Sequence, residues 1–189
     1  MKIILASASP RRREILSQAG VEFTVIPSVK DEVADTGLAP GEYARTLAEF
    51  KAKDVASLNR GIVLGADTIV VLNGRVLGKP KDEADARRTL LDLSGRPHDV
   101  ITGYAVIYGT NCKKMRSGYV TTKVFFNKLS DELIDEYIAT GSCYDKAGSY
   151  GIQDGFPLVD HIEGSLTNVI GLPIEEIFNV LKEIENEEH

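Results

Sequence analysis

The chain has 189 residues, of which 43% are hydrophobic and 26% charged, and these proportions are typical of a single globular domain. Its net charge of −6 gives no overall electrostatic reason to expect nucleic acid as a partner, so any anion site must be built locally. No stretch approaches the ~20 consecutive apolar residues of a membrane span, so a membrane is not expected as a partner either.

Strand and helix patterns alternate along the chain, which predicts an α/β fold. A short buried strand at residues 2–6 precedes a helix that begins at Pro10, with Ser9 as its N-cap and Gly20 at its end. Asn73-Gly74 predicts a hairpin with a type I′ turn. The other predicted strands are 21–26, 62–77 on both sides of that turn, 99–109, 117–126 and 156–162. The other predicted helices are 40–58, 82–93, 130–140 and one that begins at Pro173, with a loop at 27–39.

Residues 7–12, Ser-Ala-Ser-Pro-Arg-Arg, lie where the first strand is expected to turn into the first helix. The amides at a helix N-terminus are unpaired and lie at the positive end of the helix dipole. Together with two hydroxyls and adjacent arginines, they suit a phosphate. The alternative is a capped surface helix with solvated arginines, and the spacing alone does not separate the two. Walker A and G-x-G-x-x-G patterns are absent from the chain, which disfavours the common nucleotide-binding folds.

Asp67 lies between two apolar, β-rich runs in the segment LGADTIVV. A carboxylate is costly to bury at such a place without a partner, and its small neighbours leave room for a ligand. We interpret Asp67 as a metal ligand or a general base at a strand end, against the alternative of a turn aspartate. Lys79, in Gly-Lys-Pro, and the nearby Lys81 are each candidates to lie over an anion, against the alternative of ordinary loop lysines.

Two further segments are rich in polar residues. In LSGRPHDVIT, adjacent strand residues point to opposite faces, so His98 is interpreted as a hydrogen-bonded helper at a structural corner and not as a base. The glycine-rich segment 144–155 is expected to form a shaped, backbone-rich surface. Within it, Gln153 is a candidate to read a base edge, and Asp145 and Lys146 either pair with each other or face a ligand.

Taken together, these segments resemble the Maf family of nucleoside triphosphate pyrophosphatases, also called septum-formation-inhibitor-like proteins. In chain order they are LASASPRR, GADTIV, GKP, LSGRPHDVIT, DKAGSYGIQ and GSLTNVIGLP, and they extend over nearly the whole chain. The resemblance implies one Maf-type domain over residues 1–189, with an α/β fold related to the inosine-triphosphatase group. That fold is an elongated mixed sheet flanked by helices, with two lobes and a central cleft.

The resemblance also implies a cytoplasmic enzyme that hydrolyses nucleoside triphosphates to the monophosphate and diphosphate. It implies a divalent cation, Mg²⁺ or Mn²⁺, and a homodimer. The subfamily that the chain resembles acts on dTTP and UTP, and modified pyrimidine nucleotides are further candidate substrates. The alternative is a nucleotide-binding regulator of cell division that acts through a protein partner. Cys112 and Cys143 form no C-x-x-C pair and are expected as free thiols in a reducing compartment.

The residue roles that the resemblance implies follow the matching motifs. Asp67 falls on the proton acceptor, and Glu32, in the looser match SVKDE, falls on an acidic position that binds metal with Asp67. The substrate-binding positions are Ser7, Arg11, Arg12, Lys51 and Lys79. The positions that set base preference are Arg11, Thr68 and Gln153. A triphosphate carries about four negative charges near neutral pH, so this concentration of cations suits the implied substrate.

Overall fold

The computed structural model describes residues 2–29 and 37–188, and its framework is a mixed sheet with helices on both faces. The strands are β1 (Ile3–Leu5), β2 (Phe23–Val25), β3 (Ile62–Leu72), β4 (Arg75–Leu77), β5 (Pro97–Tyr108), β6 (Lys114–Phe126) and β7 (Val159–Glu163). The α-helices are α1 (Pro10–Gln18), α2 (Pro40–Ala56), α3 (Glu83–Leu93), α4 (Asp131–Ala139), α5 (Leu166–Ile170) and α6 (Ile174–Glu188). The predicted α/β class is therefore confirmed.

The sheet has the order β2-β1-β3-β5-β6-β7, with β4 paired to β3. Strand β1 runs parallel to β2 and β3, whereas the β3–β4, β3–β5, β5–β6 and β6–β7 pairs are antiparallel. The turn between β3 and β4 has positive φ at both Asn73 and Gly74, 51° and 78°. Two positive φ values are what a type I′ turn requires, so the predicted hairpin is confirmed.

One edge of β3 is paired only at its two ends. On that edge, residues 62–64 pair with β1 and residues 70–72 pair with β4. Within the described parts of the chain, no strand pairs with residues 65–69 on this side, although β5 covers the opposite edge from Val63 to Val71. The chain leaves β1 and β4 next to this gap, so the loops that follow both strands flank it.

The two lobes correspond to two separate hydrophobic cores on one face of the sheet. Leu64 and Ala66 of β3 pack into a core with α1 and α6, whereas Val70 and Leu72 pack into a core with α3 and α4. Strand β5 likewise contributes to both cores. Thr68 lies between them, on the same face, because side chains alternate along a strand.

Helix α2 covers the other face and approaches the sheet unusually closely. A Cβ at Gly65 would overlap the backbone of Ala48, and a Cβ at Gly103 would overlap the backbone of Ala44. Gly103 is also the ladder partner of Asp67. The close approach of α2 therefore depends on glycine at both strand positions, and it brings the helix directly over residue 67.

The structure differs from the sequence prediction in several details. Ser9 occupies the N-cap of α1, but its side chain makes no capping bond, and its own N–H is bound by Ser7 Oγ at 3.2 Å. Helix α5 was not predicted, because a five-residue helix is too short to show a period. The predicted strand 156–162 is shifted to Val159–Glu163. Within the described ranges, no helix has both the length and the apolar character needed to cross a membrane.

We predict that Gly103→Ala lowers the free energy of unfolding by about 1–3 kcal/mol, because the added methyl group must push α2 away from the sheet. Denaturant unfolding measures the change. Gly78→Ala is the matched control, because a Cβ there meets nothing within 4 Å. Equal stability losses in the two variants would contradict the close packing of α2.

Candidate active site

A cleft of about 440 Å³ opens at the gap in the β3 edge. The residues predicted to bind substrate all line it, namely Ser7, Arg11, Arg12, Lys51 and Lys79. So do the predicted base and the other positions assigned to base preference, Asp67, Thr68 and Gln153. Glu32, predicted to bind metal, lies outside the described residues. The fold thus gathers these residues from five separate segments of the chain around one cavity.

Arg12 is buried at the floor of the cleft, with 8% of its surface exposed. Its Nε donates to Gly171 O at 2.8 Å, its Nη1 to Ser7 Oγ at 2.9 Å, and its Nη2 to Thr68 Oγ1 at 3.1 Å. These uncharged oxygens fix the orientation of the guanidinium group from three directions. Arg12 is therefore a rigid cation, held in place by the loop after β1, by β3 and by the residue that follows α5.

Asp67 lies on the opposite face of β3 and is paired with Lys51 of α2. The side chains are only 16% and 18% exposed, so the pair is largely shielded from water. Lys51 Nζ donates to Asp67 Oδ1 and orients the carboxylate toward the cleft. An ammonium group carries three N–H donors, so this bond does not by itself prevent a contact with a bound anion.

Thr68 is part of a buried chain of hydrogen bonds that the sequence did not reveal. Its Oγ1 lies 2.9 Å from Thr102 Oγ1, and Thr102 Oγ1 donates to Asn168 O at 2.9 Å. Asn168 Nδ2 in turn binds Val100 O at 3.1 Å. Part of the signal was present, because Asn168 stands in the motif GSLTNVIGLP and Thr102 stands in a mostly apolar strand. The hydroxyl of Thr68 thus supports Arg12 as well as facing the cavity.

Arg11 has a different environment from Arg12. Its Nη1 donates at 2.8 Å to Asp145 Oδ2, across the cleft. Lys146 Nζ binds the other oxygen of Asp145 at 3.0 Å. Partial burial raises the pKa of Asp145, but the hydrogen bonds from Arg11 and Lys146 outweigh it, so the pKa lies below its usual value. Asp145 and Lys146 pair with each other, so that interpretation is confirmed; both also line the cleft, and a contact with a ligand stays a prediction.

The lysine in Gly-Lys-Pro follows β4 directly into the gap. Lys79 is exposed and lines the cleft. The loop is fixed by a bond from Gly148 N to Gly78 O at 3.1 Å, which ties it to the segment that carries Lys146. Lys81 instead uses its backbone N–H to bind Asp85 Oδ2 at 3.1 Å, at the start of α3. Lys79 is thus the better placed of the two lysines to contact an anion.

His98 is a buried structural residue. Only 3% of its surface is exposed, and its Nε2 lies 2.7 Å from Tyr150 Oη. Burial lowers the pKa of its imidazole from 6.5 to about 4. The ring is therefore neutral at pH 7, which fits a hydrogen-bonded helper. Tyr150 lines the cleft, so His98 supports the cavity from behind.

Within the described residues, no group of three or more His, Cys, Asp or Glu side chains is placed to hold a metal ion. Asp67 is a carboxylate inside the cleft. Mg²⁺ commonly binds through one or two carboxylates together with substrate phosphates and water. Asp67 therefore fits as the protein ligand of a cation that arrives with a polyphosphate.

The fold is shared with solved structures of Ham1 proteins. The Coxiella burnetii HAM1 protein superposes with a TM-score of 0.55 at 16% identity, covering 97% of this chain and 99% of that one. The Staphylococcus aureus Ham1 protein gives a TM-score of 0.53 at 16% identity, covering 100% of both chains. At this level of identity, the likeness establishes only the fold. It confirms the predicted fold, a mixed sheet flanked by helices.

Residues 2–184 match the Maf family, described as Maf-like protein, and the chain belongs to this family. It is 51% identical over 184 residues to a protein of Citrifermentans bemidjiense, covering 96% of this chain and 95% of the relative. It is 47% identical over 184 residues to a Clostridioides difficile protein, covering 96% and 94%. It is 49% identical over 183 residues to a Pyrococcus furiosus protein, also covering 96% and 94%. All three relatives are named dTTP/UTP pyrophosphatase.

We predict that His98 makes the protein less stable in acid. The unfolded imidazole binds a proton near pH 6.5 and the folded one only near pH 4, so stability is lost as the pH falls between these values. His98→Gln removes this titration. When the pH is lowered from 7 to 4, the free energy of unfolding of the wild type should fall by about 3 kcal/mol more than that of the variant. Urea unfolding at both pH values measures it, and a constant difference would contradict the burial of a neutral ring.

Proposed function

We propose that this chain is a nucleoside triphosphate pyrophosphatase that hydrolyses dTTP and UTP to the nucleoside monophosphate and diphosphate. The observation that carries the proposal is its identity of about one half, over nearly its whole length, with relatives of that name. The chemistry of the cleft supports the same activity, because a polyanion needs cations that the acidic chain must concentrate in one place.

The triphosphate is proposed to bind at the loop that follows β1. Arg12 is fixed there next to Ser7, and Lys51 and Lys79 reach the same cavity. The first turn of α1 adds backbone amides at the positive end of the helix dipole. These groups neutralise the phosphates and hold the α-phosphorus in one position, which is the main contribution that a protein makes to phosphoryl transfer.

Asp67 is proposed to orient and deprotonate the water that attacks the α-phosphorus. Lys51 holds the carboxylate in the cleft, and the glycine at position 103 permits α2 to place Lys51 there. We propose that Asp67 and Glu32 hold a divalent cation, Mg²⁺ or Mn²⁺. When bound, that cation polarises a phosphoryl oxygen and stabilises the charge that develops. Arg12 and Lys79 then stabilise the leaving diphosphate.

Base preference is proposed to depend on Arg11, Thr68 and Gln153. Arg11 and Gln153 both line the cleft, and Gln153 offers an amide that both donates and accepts hydrogen bonds. Thr68 binds Arg12 and so links the base-selecting residues to the phosphate-binding ones. Modified pyrimidine nucleotides remain candidate substrates of the same site.

The wider setting follows from the family resemblance. We propose that the protein is cytoplasmic and forms a homodimer, and its two cysteines are free thiols, as a reducing compartment favours. The alternative, a regulator of cell division that only binds nucleotides, is not favoured. A protein that only binds would have no use for a carboxylate held by a lysine beside the phosphate-binding loop.

We predict that purified protein with Mg²⁺ or Mn²⁺ releases diphosphate from dTTP and UTP faster than from ATP or GTP. The reason is that the base-selecting positions hold the amide of Gln153 and the guanidinium of Arg11. A nucleotide panel with diphosphate detection measures it. Equal rates for all nucleotides would remove the pyrimidine assignment, and no release from any nucleotide would remove the enzymatic one.

We predict that Asp67→Asn lowers kcat at least about 100-fold and retains nucleotide binding, because an amide cannot accept the proton of the attacking water. Single-turnover assays and equilibrium binding separate the two effects. Asp92→Asn is the control, because Asp92 is paired with Arg75 on the surface at 2.7 Å. Normal turnover by Asp67→Asn would place the base elsewhere.

A further inference from the structure

Gln153 is positioned by the turn that its backbone forms and not by hydrogen bonds of its own side chain. The N–H of Asp154 binds Gly151 O at 3.2 Å, so Gln153 occupies the corner of a tight turn. Its side chain is exposed and makes no hydrogen bond to any other described residue. The direction in which its amide points into the cleft therefore depends on how firmly this turn is held.

The hydroxyl of Tyr137 holds both ends of that turn. It accepts the N–H of Gly151 at 3.0 Å and donates to Asp154 Oδ2 at 2.7 Å. Tyr137 is a core residue of α4 with no exposed surface. Burial and then the neighbouring Asp154 carboxylate raise the pKa of the hydroxyl, so it stays a donor throughout the physiological range. A rigid core side chain thus fixes a surface turn at two points.

Lys146 connects this turn to Asp145, the residue that binds Arg11. Its Nζ lies 3.3 Å from Asp154 Oδ2 and 3.0 Å from Asp145 Oδ1, and it is only 10% exposed. A Cβ at Gly151 would lie 2.6 Å from Lys146 Cε, so glycine leaves room for the lysine. Asp145 in turn binds Arg11, which is 134 residues away in the chain. A continuous chain of ion pairs and hydrogen bonds therefore joins the turn of Gln153 to the guanidinium of Arg11.

The charges around the cleft fall into two groups with different net values. In the chain just described, the two cations are balanced by two carboxylates: Arg11, Lys146, Asp145 and Asp154. Among the residues that the structure describes, the second group has three cations and one carboxylate: Arg12, Lys51, Lys79 and Asp67. An excess of positive charge suits the triphosphate, whereas a balanced group suits the uncharged base.

We propose that Tyr137 and Lys146 are positioning residues for base selection. Tyr137 fixes the turn that presents Gln153, and Lys146, through Asp145, fixes Arg11 in the same cavity. Each is proposed to act through the residues that it holds in place. The proposal rests on the proposed function, because it concerns how that enzyme distinguishes one nucleotide from another.

Tyr137→Phe tests the proposal because it removes one hydroxyl and keeps the core volume. We expect the ratio of kcat/KM for dTTP to kcat/KM for CTP and for GTP to fall about tenfold, as loss of a hydrogen bond to a charged group would allow. In a Gln153→Ala background, the same substitution should leave the ratio unchanged, because Tyr137 acts through Gln153. An equal fall in both backgrounds would indicate a general structural effect and overturn the proposal.

The matched control is Tyr108→Phe, which removes a hydroxyl that binds Glu187 at 3.0 Å outside the cleft. It should lower stability to a similar extent and leave the ratio unchanged. If Tyr137→Phe does not fold, Asp145→Asn provides the test, since that side chain is 57% exposed. It should lower the ratio in wild type and not in an Arg11→Ala background.

The outcomes separate this inference from the proposed function. If wild-type protein releases diphosphate selectively, and both Tyr137→Phe and Asp145→Asn keep its selectivity, the positioning roles are wrong and the proposed function stands. If wild-type protein releases diphosphate from no nucleotide, the proposed function is wrong and the positioning roles fall with it.

Discussion

The interrupted pairing on one edge of β3 is the constraint on which the rest of the cleft depends. Residues 65–69 are held by β5 on one side, while β1 and β4 cover only the two ends of the other side. The loops after β1 and β4 therefore leave the sheet facing each other across the gap. One loop carries Ser7 and leads into α1, whose first turn carries Arg12, and the other loop carries Lys79. Strand pairing, together with the close approach of α2, therefore brings the cations that the acidic chain needs to one place.

The same gap explains how two adjacent residues serve one cavity from opposite faces of the sheet. Asp67 points toward α2 and meets Lys51, whereas Thr68 points the other way and meets Arg12. At a fully paired strand these environments would be separated by the sheet. Here the open edge lets both reach the cleft. The small residues under α2 matter for the same reason, since they bring Lys51 within reach of Asp67.

The sequence predicted the elements well, because apolar periods and turn residues such as Asn73-Gly74 are local signals. It also pointed to Asp67 as an unusual carboxylate in an apolar strand. It could not show that Arg11 and Arg12 have different environments, because their partners, Asp145 and Gly171, are brought near only by the fold. Nor did the sequence reveal the buried hydrogen bonds of Thr102 and Asn168, because a polar residue in a sequence carries no mark of its partner.

The unbroken ladder between β3 and β5 has a mechanical consequence. It runs from Val63 paired with Ile107 to Val71 paired with Asp99, and so passes through both hydrophobic cores. A hinge between the lobes would have to break these bonds or bend both strands together. The floor of the cleft therefore keeps the width that it acquires on folding, and only loops and side chains are left to adapt to a ligand. A ligand that enters such a cleft loses little of its binding free energy to ordering the backbone beneath it.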